Sequence, residues 1–243
     1  MFKHLVKLIV FDMAGTTVSD KNEVEKCFVE AAKTTQLKFD VEEIVSMMGW
    51  SKRLVFETLW KKNLPKTDDA VVQKKTDESY QKFKEILEYH YKTEPVFPTE
   101  GTLELFHFLK SQEIKIALTT GFYRKVTDII LDRLEWNSGL DENYLGNKES
   151  VIDFSVTSDQ VEDGRPAPDM IFRAMKMLNI DNPKQVIKIG DTPSDLQAGK
   201  NADCLLSLGI TNGTHTKKQL EKVENDGLFE NLNEFKMYLE LKL

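Results

Sequence analysis

Short apolar segments that alternate with amphipathic helices constrain the fold of this chain most. The segments are rich in Val, Ile and Leu and lack strict polar alternation, as expected for strands buried on both faces. They lie near residues 5–11, 114–119, 153–157, 186–190 and 203–208. Helical patterns lie between them, for example over 122–135 and 168–178. This order predicts an α/β fold, a Rossmann-like doubly wound parallel sheet that binds ligands at the carboxyl ends of its strands.

The segment between the first two predicted strands does not alternate strands with helices, because it contains only helical patterns over about 20–93. One apolar stripe comprises Val24, Cys27, Phe28, Ala31 and Ala32, and another comprises Leu54, Val55, Thr58 and Leu59. A longer helix is predicted near 68–91, before a proline-flanked connector at 94–98. We predict a catalytic core of 1–18 and 96–243 and a helical insertion over 19–95. The insertion is either an ordinary helical subdomain or a cap that closes over substrate.

Composition excludes several classes of partner. The 40 acidic and 33 basic residues give a net charge of −7, which disfavours nucleic acid and anionic membranes as partners. Cys27 and Cys204 are too far apart in the sequence to indicate a disulfide framework. No metal-ligand spacing relates the four histidines, which are His4, His90, His107 and His215. The apolar run near the N-terminus is too short for a signal peptide or a membrane span. We expect a cytoplasmic protein.

Four polar motifs follow predicted strands in order along the chain. They are Asp12-Met13-Ala14-Gly15-Thr16-Thr17, Thr119-Thr120-Gly121, Gly164-Arg165-Pro166 and Gly190-Asp191-Thr192-Pro193-Ser194-Asp195. Each alone has a structural explanation: Thr192 is a good N-cap before Pro193, and Arg165 is a loop charge. Their conjunction favours one functional site, since the carboxyl ends of parallel strands meet at one edge of a sheet.

These residue types suit phosphoryl transfer. Asp12 is a candidate nucleophile, but a carboxylate attacks an anionic phosphorus group only when the charge of the phosphorus oxygens is neutralised. Mg²⁺ held by Asp12 and Asp191 would supply part of the neutralising charge, and Arg165 and Thr120 would complete the phosphate site. A donor set of carboxylates without His or Cys favours Mg²⁺ over zinc.

The order of these motifs and the residues in them resemble those of the haloacid dehalogenase (HAD) superfamily across essentially the whole chain. The variant Asp-Met-Ala-Gly-Thr-Thr departs from the usual Asp-x-Asp-Gly-Thr in the manner of phosphonoacetaldehyde hydrolase (phosphonatase) and its relatives. Ala14 stands where most members carry a second Asp, the acid that protonates the leaving group. The resemblance implies a HAD-like α/β core with an inserted α-helical cap.

The resemblance also implies a role for each motif residue. Asp12 would be the nucleophile, and the Ala14 carbonyl and Asp191 would join it on Mg²⁺. The phosphoryl oxygens would be held by Thr120, Gly121 and Arg165. Asp195 would support the metal site and so belong to the catalytic set. The partner would be a small phosphorylated or phosphonate substrate, and a homodimer through the cap is an expected assembly because related proteins often pair there.

A lysine in the helical insertion bears on the type of reaction. Met48-Gly49-Trp50-Ser51-Lys52 resembles the Met-Gly-x-x-Lys of phosphonatase, in which the lysine forms a Schiff base with the substrate aldehyde. Imine formation needs a lowered lysine pKa, which we expect Trp50 and Arg53 to supply through desolvation and charge. The loop also resembles that of sugar-phosphate HAD enzymes, where a cation grips a distal anionic group. A solvated Lys52 in the first turn of a helix is the simplest alternative.

Three positions depart from phosphonatase: Asn22, Val55 and Phe122 stand where that family usually has Cys, His and Tyr. We therefore predict first a phosphonatase-like, Mg²⁺-dependent hydrolase that works through an aspartyl-phosphate. True phosphonoacetaldehyde hydrolysis, with Lys52 as the Schiff base, is the second prediction, and a non-catalytic phosphometabolite sensor is the third. In the enzyme, the insertion would face the site with Trp50, Lys52 and Met47 or Met48.

Overall fold

The computed structural model describes residues 5–243, so residues 1–4 of the predicted core, including His4, lie outside the described residues. A six-stranded sheet forms the centre, and every adjacent pair of its strands is parallel. In chain order the strands are β1 (Leu8–Asp12), β2 (Lys115–Thr120), β3 (Phe154–Thr157), β4 (Val186–Gly190), β5 (Leu206–Ile210) and β6 (Gly227–Phe229). Their spatial order β3-β2-β1-β4-β5-β6 confirms the predicted doubly wound fold.

Ten α-helices accompany the sheet within residues 5–243. The first five, between β1 and β2, are α1 (Glu23–Thr34), α2 (Val41–Ser46), α3 (Lys52–Asn63), α4 (Asp69–Thr93) and α5 (Thr102–Ser111). The others are α6 (Arg124–Arg133), α7 (Asp169–Met177), α8 (Pro193–Asn201), α9 (Lys217–Leu220) and α10 (Leu232–Lys242). The strands alternate with helices from β2 onwards, as βαβ crossovers require.

The register of the central strands brings the polar motifs to one edge. All five residues of β1 are buried, and β1 pairs with β2 on one side and β4 on the other. Ile9 aligns with Ile116 and with Ile187, so Asp12 at the end of β1 lies opposite Thr119. Asp191 directly follows β4. The candidate nucleophile and the later carboxylates therefore share the carboxyl edge of the sheet.

The helices of the insertion pack around aromatic rings. The Phe28 and Phe56 rings stack with their centroids 4.1 Å apart, and the Phe83 ring lies 5.0 Å from that of Phe28. These fully buried rings join α1, α3 and α4. Because buried aromatic rings contribute large contact areas and favour tilted or offset packing, they give the insertion an apolar centre.

The structure corrects the second predicted stripe of the insertion. Leu54 is 43% exposed, and Thr58 is only half-buried. The buried face of α3 instead consists of Val55, Phe56, Leu59 and Trp60, together with Lys52. The stripe was wrong by a rotation of about one residue, because α4 packs along the Phe56 side of α3 and leaves the Leu54 side to solvent.

Two differences concern the last strands. The strand predicted near 203–208 begins later, at Leu206, because Asp203 adopts a left-handed conformation (φ 54°) in the turn that ends α8. β6 was not predicted, since three residues are too few to produce a periodic pattern.

The insertion is joined to the rest of the chain by two segments that lie side by side. The Ser19 N–H donates to the Phe97 carbonyl (3.0 Å), and the Thr99 N–H donates to the Thr17 carbonyl (2.9 Å). The predicted proline-flanked connector thus pairs with the chain that leaves β1. Among the described residues, no helix combines the length and the apolar composition needed to cross a membrane.

Candidate active site

Asp12 lies at the end of β1 within a buried network of alternating charges. Arg165 Nη1 is 2.7 Å from Asp12 Oδ1 and also pairs with Asp195. Lys188, on β4, places its Nζ 2.7 Å from Asp195 Oδ1. All four side chains are buried, and a buried charge is stable only when it is paired. Asp195 therefore holds both cations, and Arg165 is turned towards Asp12.

Asp191 is fully buried near Asp12, but its partners are neutral. Its Oδ2 accepts the Thr214 N–H (2.6 Å), and its Oδ1 accepts the Thr16 hydroxyl (3.2 Å). Within residues 5–243, no lysine, arginine or histidine nitrogen forms an ion pair with it. Oxygen atoms of the three carboxylates, from Asp12, Asp191 and Asp195, lie within 4.8 Å of one another. These carboxylate oxygens are donors that fit a divalent cation such as Mg²⁺. Its positive charge would neutralise the charge of Asp191, which has hydrogen bonds but no ion pair within residues 5–243.

The carboxylates have different pKa values for physical reasons. Burial raises the pKa of Asp12 to about 7, although the neighbouring Arg165 opposes this rise. Burial and the charge of Asp195 also raise the pKa of Asp191. Burial would raise the pKa of Asp195 too, but Arg165 and Lys188 outweigh it and hold that pKa below its usual range. Asp195 is thus the permanent anion of the network, whereas Asp12 needs a further cation to be fully ionised at neutral pH, and such a cation would also favour the ionised form of Asp191.

Thr120 and Gly121 close the site on the side of β2. Thr120 is buried, and its hydroxyl oxygen accepts the Phe122 N–H (3.1 Å). Gly121 lies against the loop between α2 and α3: a Cβ there would come within 2.6 Å of the Trp50 carbonyl oxygen. A larger residue at 121 would therefore push this loop of the insertion away from the core.

Core and insertion together enclose a cavity of about 30 Å³, on the order of one or two water molecules. It is lined by Asp12, Ala14, Asp20, Val24, Met48, Gly49, Lys52, Thr120, Gly121, Phe122, Arg165, Thr192 and Thr214. A larger depression of about 630 Å³ includes Val6, Lys115 and Ile180, but none of these belongs to the polar motifs. The insertion therefore lies closely against the core at the polar motifs, and because the cavity there is smaller than a phosphate group, we expect a substrate to enter when the insertion moves away from the core.

Lys52, the first residue of α3, points into this cavity and is buried. Its Nζ lies 3.9 Å from the Met48 sulfur and 5.9 Å from the centre of the Phe122 ring. Burial and the neighbouring Arg165 lower the pKa of Lys52 to about 8. The alternative of a solvated lysine is wrong, and the amine is partly neutral near physiological pH.

The cation that perturbs Lys52 is not the one expected. Arg53 turns outwards, where its guanidinium pairs with Asp77 (2.8 Å) and Glu57 (3.4 Å). Trp50 is half-buried and contributes its carbonyl near Gly121, but its side chain is not among the described residues that line the cavity. Met48 lines the cavity, whereas Met47 does not.

The loop before Lys52 rests directly on α8. Gly49 has a positive φ of 91°, and a Cβ there would overlap the Ser194 and Thr192 hydroxyls. The Ser194 hydroxyl also donates weakly to the Met48 carbonyl (3.5 Å). Thr192 remains the N-cap of α8, as its structural explanation required, and its hydroxyl donates to Asp195 (2.6 Å). The structural explanation of this motif is therefore confirmed, and its functional explanation stays a prediction.

The structure brings together the residues of the four motifs and Lys52, and it adds others. Asp12, Ala14, Thr120, Gly121, Arg165 and Lys52 line the cavity, and carboxylate oxygens of Asp191 and Asp195 lie within 4.8 Å of one from Asp12. Sequence reasoning missed Lys188, although a lysine inside an otherwise apolar buried strand is a signal that could have found it. It also missed Asp20 and His215. His215 is buried, and burial lowers its pKa despite nearby Asp191. Nothing in the local sequence marks either residue.

Comparisons with known proteins agree with this geometry. Residues 6–203 match the haloacid dehalogenase-like hydrolase family. The phosphonoacetaldehyde hydrolase of Bacillus cytotoxicus is 30% identical over 236 residues, covering 90% of this chain and 82% of that protein. The phosphonoacetaldehyde hydrolase of Parabacteroides distasonis is 30% identical over 224 residues, with 85% and 76% covered.

Solved structures show the same fold. A hydrolase from Pseudomonas syringae superposes with a TM-score of 0.76 at 20% identity, over 97% of this chain and 98% of that one. A phosphonoacetaldehyde hydrolase-like protein from Oleispira antarctica gives 0.77 at 17% identity, over 97% and 92%. With a family match that spans most of its length and curated relatives at 30% identity, the chain belongs to the haloacid dehalogenase-like hydrolases, in their phosphonatase-like branch.

Proposed function

We propose that this hydrolase is Mg²⁺-dependent and transfers the phosphorus group of a small phosphorylated or phosphonate metabolite to Asp12. The observation that carries the proposal is the contact between Asp12 and Arg165 beside the unpaired Asp191. A buried carboxylate that faces a fixed guanidinium is oriented for attack on a group that the same guanidinium binds.

Each residue has a defined task in this proposal. Asp12 attacks phosphorus and forms an aspartyl-phosphate, which water then hydrolyses to restore the carboxylate. Arg165 and Thr120 bind the phosphoryl oxygens, and Asp195 keeps Arg165 in place. Mg²⁺ would be held by Asp12, Asp191 and the Ala14 carbonyl, and would neutralise negative charge on the phosphorus oxygens.

The insertion side of the cavity indicates which residues would contact the rest of the substrate. Lys52 and Met48 line that side, so we infer that they contact the group beyond phosphorus. The cavity of about 30 Å³ holds fewer atoms than a phosphate group has, so its volume sets no limit on the length of that group.

A second candidate function is cleavage of a C–P bond, and the environment of Lys52 favours it. A buried amine with a pKa of about 8 can condense with a substrate aldehyde to give an imine and water. When phosphorus passes to Asp12, the electron pair of the C–P bond moves into the protonated imine and forms an enamine. This route needs no acid at position 14. The names of the sequence relatives support it. Val55 and Phe122 count against it, because the resemblance to phosphonatase leads us to expect His and Tyr at these positions.

The test is a panel of substrates with and without Mg²⁺. The panel contains p-nitrophenyl phosphate, acetyl phosphate, short alkyl phosphates, sugar phosphates and phosphonoacetaldehyde. We expect Mg²⁺-dependent phosphate release that Asp12→Asn abolishes, with Asp40→Asn, an exposed N-cap of α2, as the matched control. Release from phosphonoacetaldehyde alone would select the second function. No release from any substrate, with binding retained, would contradict both and identify a sensor.

A further inference from the structure

Asp20 is a carboxylate in the cavity to which the motifs assign no task. It lies at the start of the insertion, eight residues after Asp12, and lines the same cavity as Asp12 and Lys52. Among the described residues that line this cavity, Asp12 and Asp20 are the two carboxylic acids. Asp12 is engaged by Arg165, whereas no lysine, arginine or histidine within residues 5–243 forms an ion pair with Asp20.

The Asp20 side chain is held in a fixed orientation by α1. Its Oδ1 accepts the backbone N–H of Glu23 (2.7 Å) and, more weakly, that of Val24 (3.4 Å). These bonds use one oxygen of the carboxyl group as the cap of the helix. The group is therefore positioned without being neutralised, and an asparagine at this position would preserve the capping oxygen.

The groups around Asp20 favour its protonated form. Burial is the main cause that raises its pKa, to about 7, and the hydrogen-bonded Glu23 carboxylate adds to the rise. The other titratable groups that face it are Cys27 of α1, Lys52 of α3 and Tyr91 of α4. Only Lys52 among these carries a positive charge that would favour the Asp20 anion. An acid that is half protonated near neutral pH is well matched to proton transfer.

The site needs such a donor, because Ala14 has no proton to give. Transfer of phosphorus from a phosphate monoester to Asp12 breaks a P–O bond and leaves an alkoxide, which is a poor leaving group unless it is protonated. Arg165 is fixed by two carboxylates, and Thr120 has a hydroxyl that does not titrate in this range. Besides the nucleophile, the lining groups that can give a proton near neutral pH are Asp20 and the Lys52 ammonium, and the Asp20→Asn variant distinguishes them. Asp20 belongs to the insertion and lines the same cavity as Asp12.

We propose that the Asp20 carboxyl group is the general acid of this enzyme and protonates the leaving-group oxygen. The inference rests on the proposed hydrolysis of phosphate esters through Asp12. In the first step the P–O bond breaks, the oxygen takes the Asp20 proton, and the product leaves as an alcohol. In the second step water attacks the aspartyl-phosphate and gives its proton to the Asp20 carboxylate, which restores both groups.

The experiment compares leaving groups in wild type and in Asp20→Asn. Loss of a general acid lowers kcat/KM by about 10²- to 10⁴-fold when the leaving group needs a proton, as in short alkyl phosphates. The loss should be far smaller for p-nitrophenyl phosphate, whose leaving group is stable as an anion. Glu30→Gln removes a charge from an exposed position of the same helix and should leave both rates unchanged. A weakened helix cap would instead lower both rates by the same factor.

The pH dependence gives a second readout. The ratio of the alkyl to the p-nitrophenyl rate cancels the titration of Asp12 and of the metal site, which both substrates share. This ratio should fall as the pH rises through about 7, because Asp20 then loses its proton. Glu23→Gln removes the anionic neighbour and should move the fall to lower pH. The ratio should not depend on pH in Asp20→Asn.

Three results would overturn the inference: equal losses for both leaving groups in Asp20→Asn, no loss for either, or a ratio that is independent of pH in the wild type. These results are distinguishable from a failure of the proposed function. If the proposed function were wrong, the wild type would release no phosphate from any ester, or Asp12→Asn would retain activity.

Discussion

The pKa of Lys52 gives a quantitative prediction that can be tested without the natural substrate. Burial and Arg165 lower the pKa to about 8, whereas a free lysine titrates near ~10.4. At pH 7, roughly one Lys52 side chain in ten would therefore be neutral, against about one in 2,500 for an ordinary lysine. Only the neutral amine attacks a carbonyl, so the fraction of Lys52 that can react at pH 7 should be about 200-fold larger than for an exposed lysine.

The assay is reductive labelling over a range of pH. The protein is incubated with phosphonoacetaldehyde and cyanoborohydride from pH 6 to 11, and the adduct on each lysine is quantified by mass spectrometry. Labelling of Lys52 should rise to a midpoint near 8, because deprotonation produces the reactive amine. The exposed Lys66 in the same digest is the internal reference, and Lys52→Arg should lose the adduct without losing the fold.

The prediction requires the labelling midpoint of Lys52 to lie below that of Lys66. A midpoint for Lys52 at or above that of Lys66 would show that its amine is not desolvated in solution, and the environment described here would be incorrect. Labelling with a midpoint near pH 8 would show that the Lys52 amine is reactive near neutral pH. It would support the C–P cleavage function only if hydrolysis of phosphonoacetaldehyde also depends on Lys52.

Two further predictions concern the metal site and the closed insertion. Mg²⁺ at a concentration of 100 Kd should stabilise the folded wild type by about 2.7 kcal/mol, which raises its Tm by roughly 5–10 °C. Asp191→Asn should abolish this rise in Tm. An unchanged rise in the variant would contradict Asp191 as a ligand of the ion. Gly49→Ala should lower kcat/KM by about tenfold or more, because a Cβ at φ 91° costs about 1–2 kcal/mol and overlaps the Ser194 and Thr192 hydroxyls. Gly164→Ala is the matched control, since its Cβ would meet Ser51 at an ordinary 3.6 Å, and equal losses in the two variants would contradict the closure.

The fold was predictable because its signals are local. Five strands buried on both faces leave continuous apolar runs, and helices between them leave a 3.6-residue period. The apolar stripe of α1 was identified correctly, since Val24, Cys27, Phe28, Ala31 and Ala32 are all buried. The stripe of α3 was not, because its sequence is apolar on more than one face and the position of α4 decides which face is buried.

The site also contains residues that the sequence could reveal and residues that it could not. The motif residues that end β1, β2 and β4 could be found because parallel strands bring their ends together. Lys52 acquires its character from a distant part of the chain. The cation beside Lys52 is Arg165, more than a hundred residues away, and not the adjacent Arg53. Desolvation and long-range charge are properties of the packed molecule, so short-range sequence patterns do not encode them.

The central claim, that Asp12 accepts phosphorus, is tested most directly by trapping the covalent intermediate. The enzyme is mixed with radiolabelled acetyl phosphate and Mg²⁺, quenched in acid within one turnover, and digested for peptide mapping. We predict label on the peptide that contains Asp12, and none in Asp12→Asn. Release of labelled phosphate at the wild-type rate with no protein-bound label, or with label on another residue, would contradict the account.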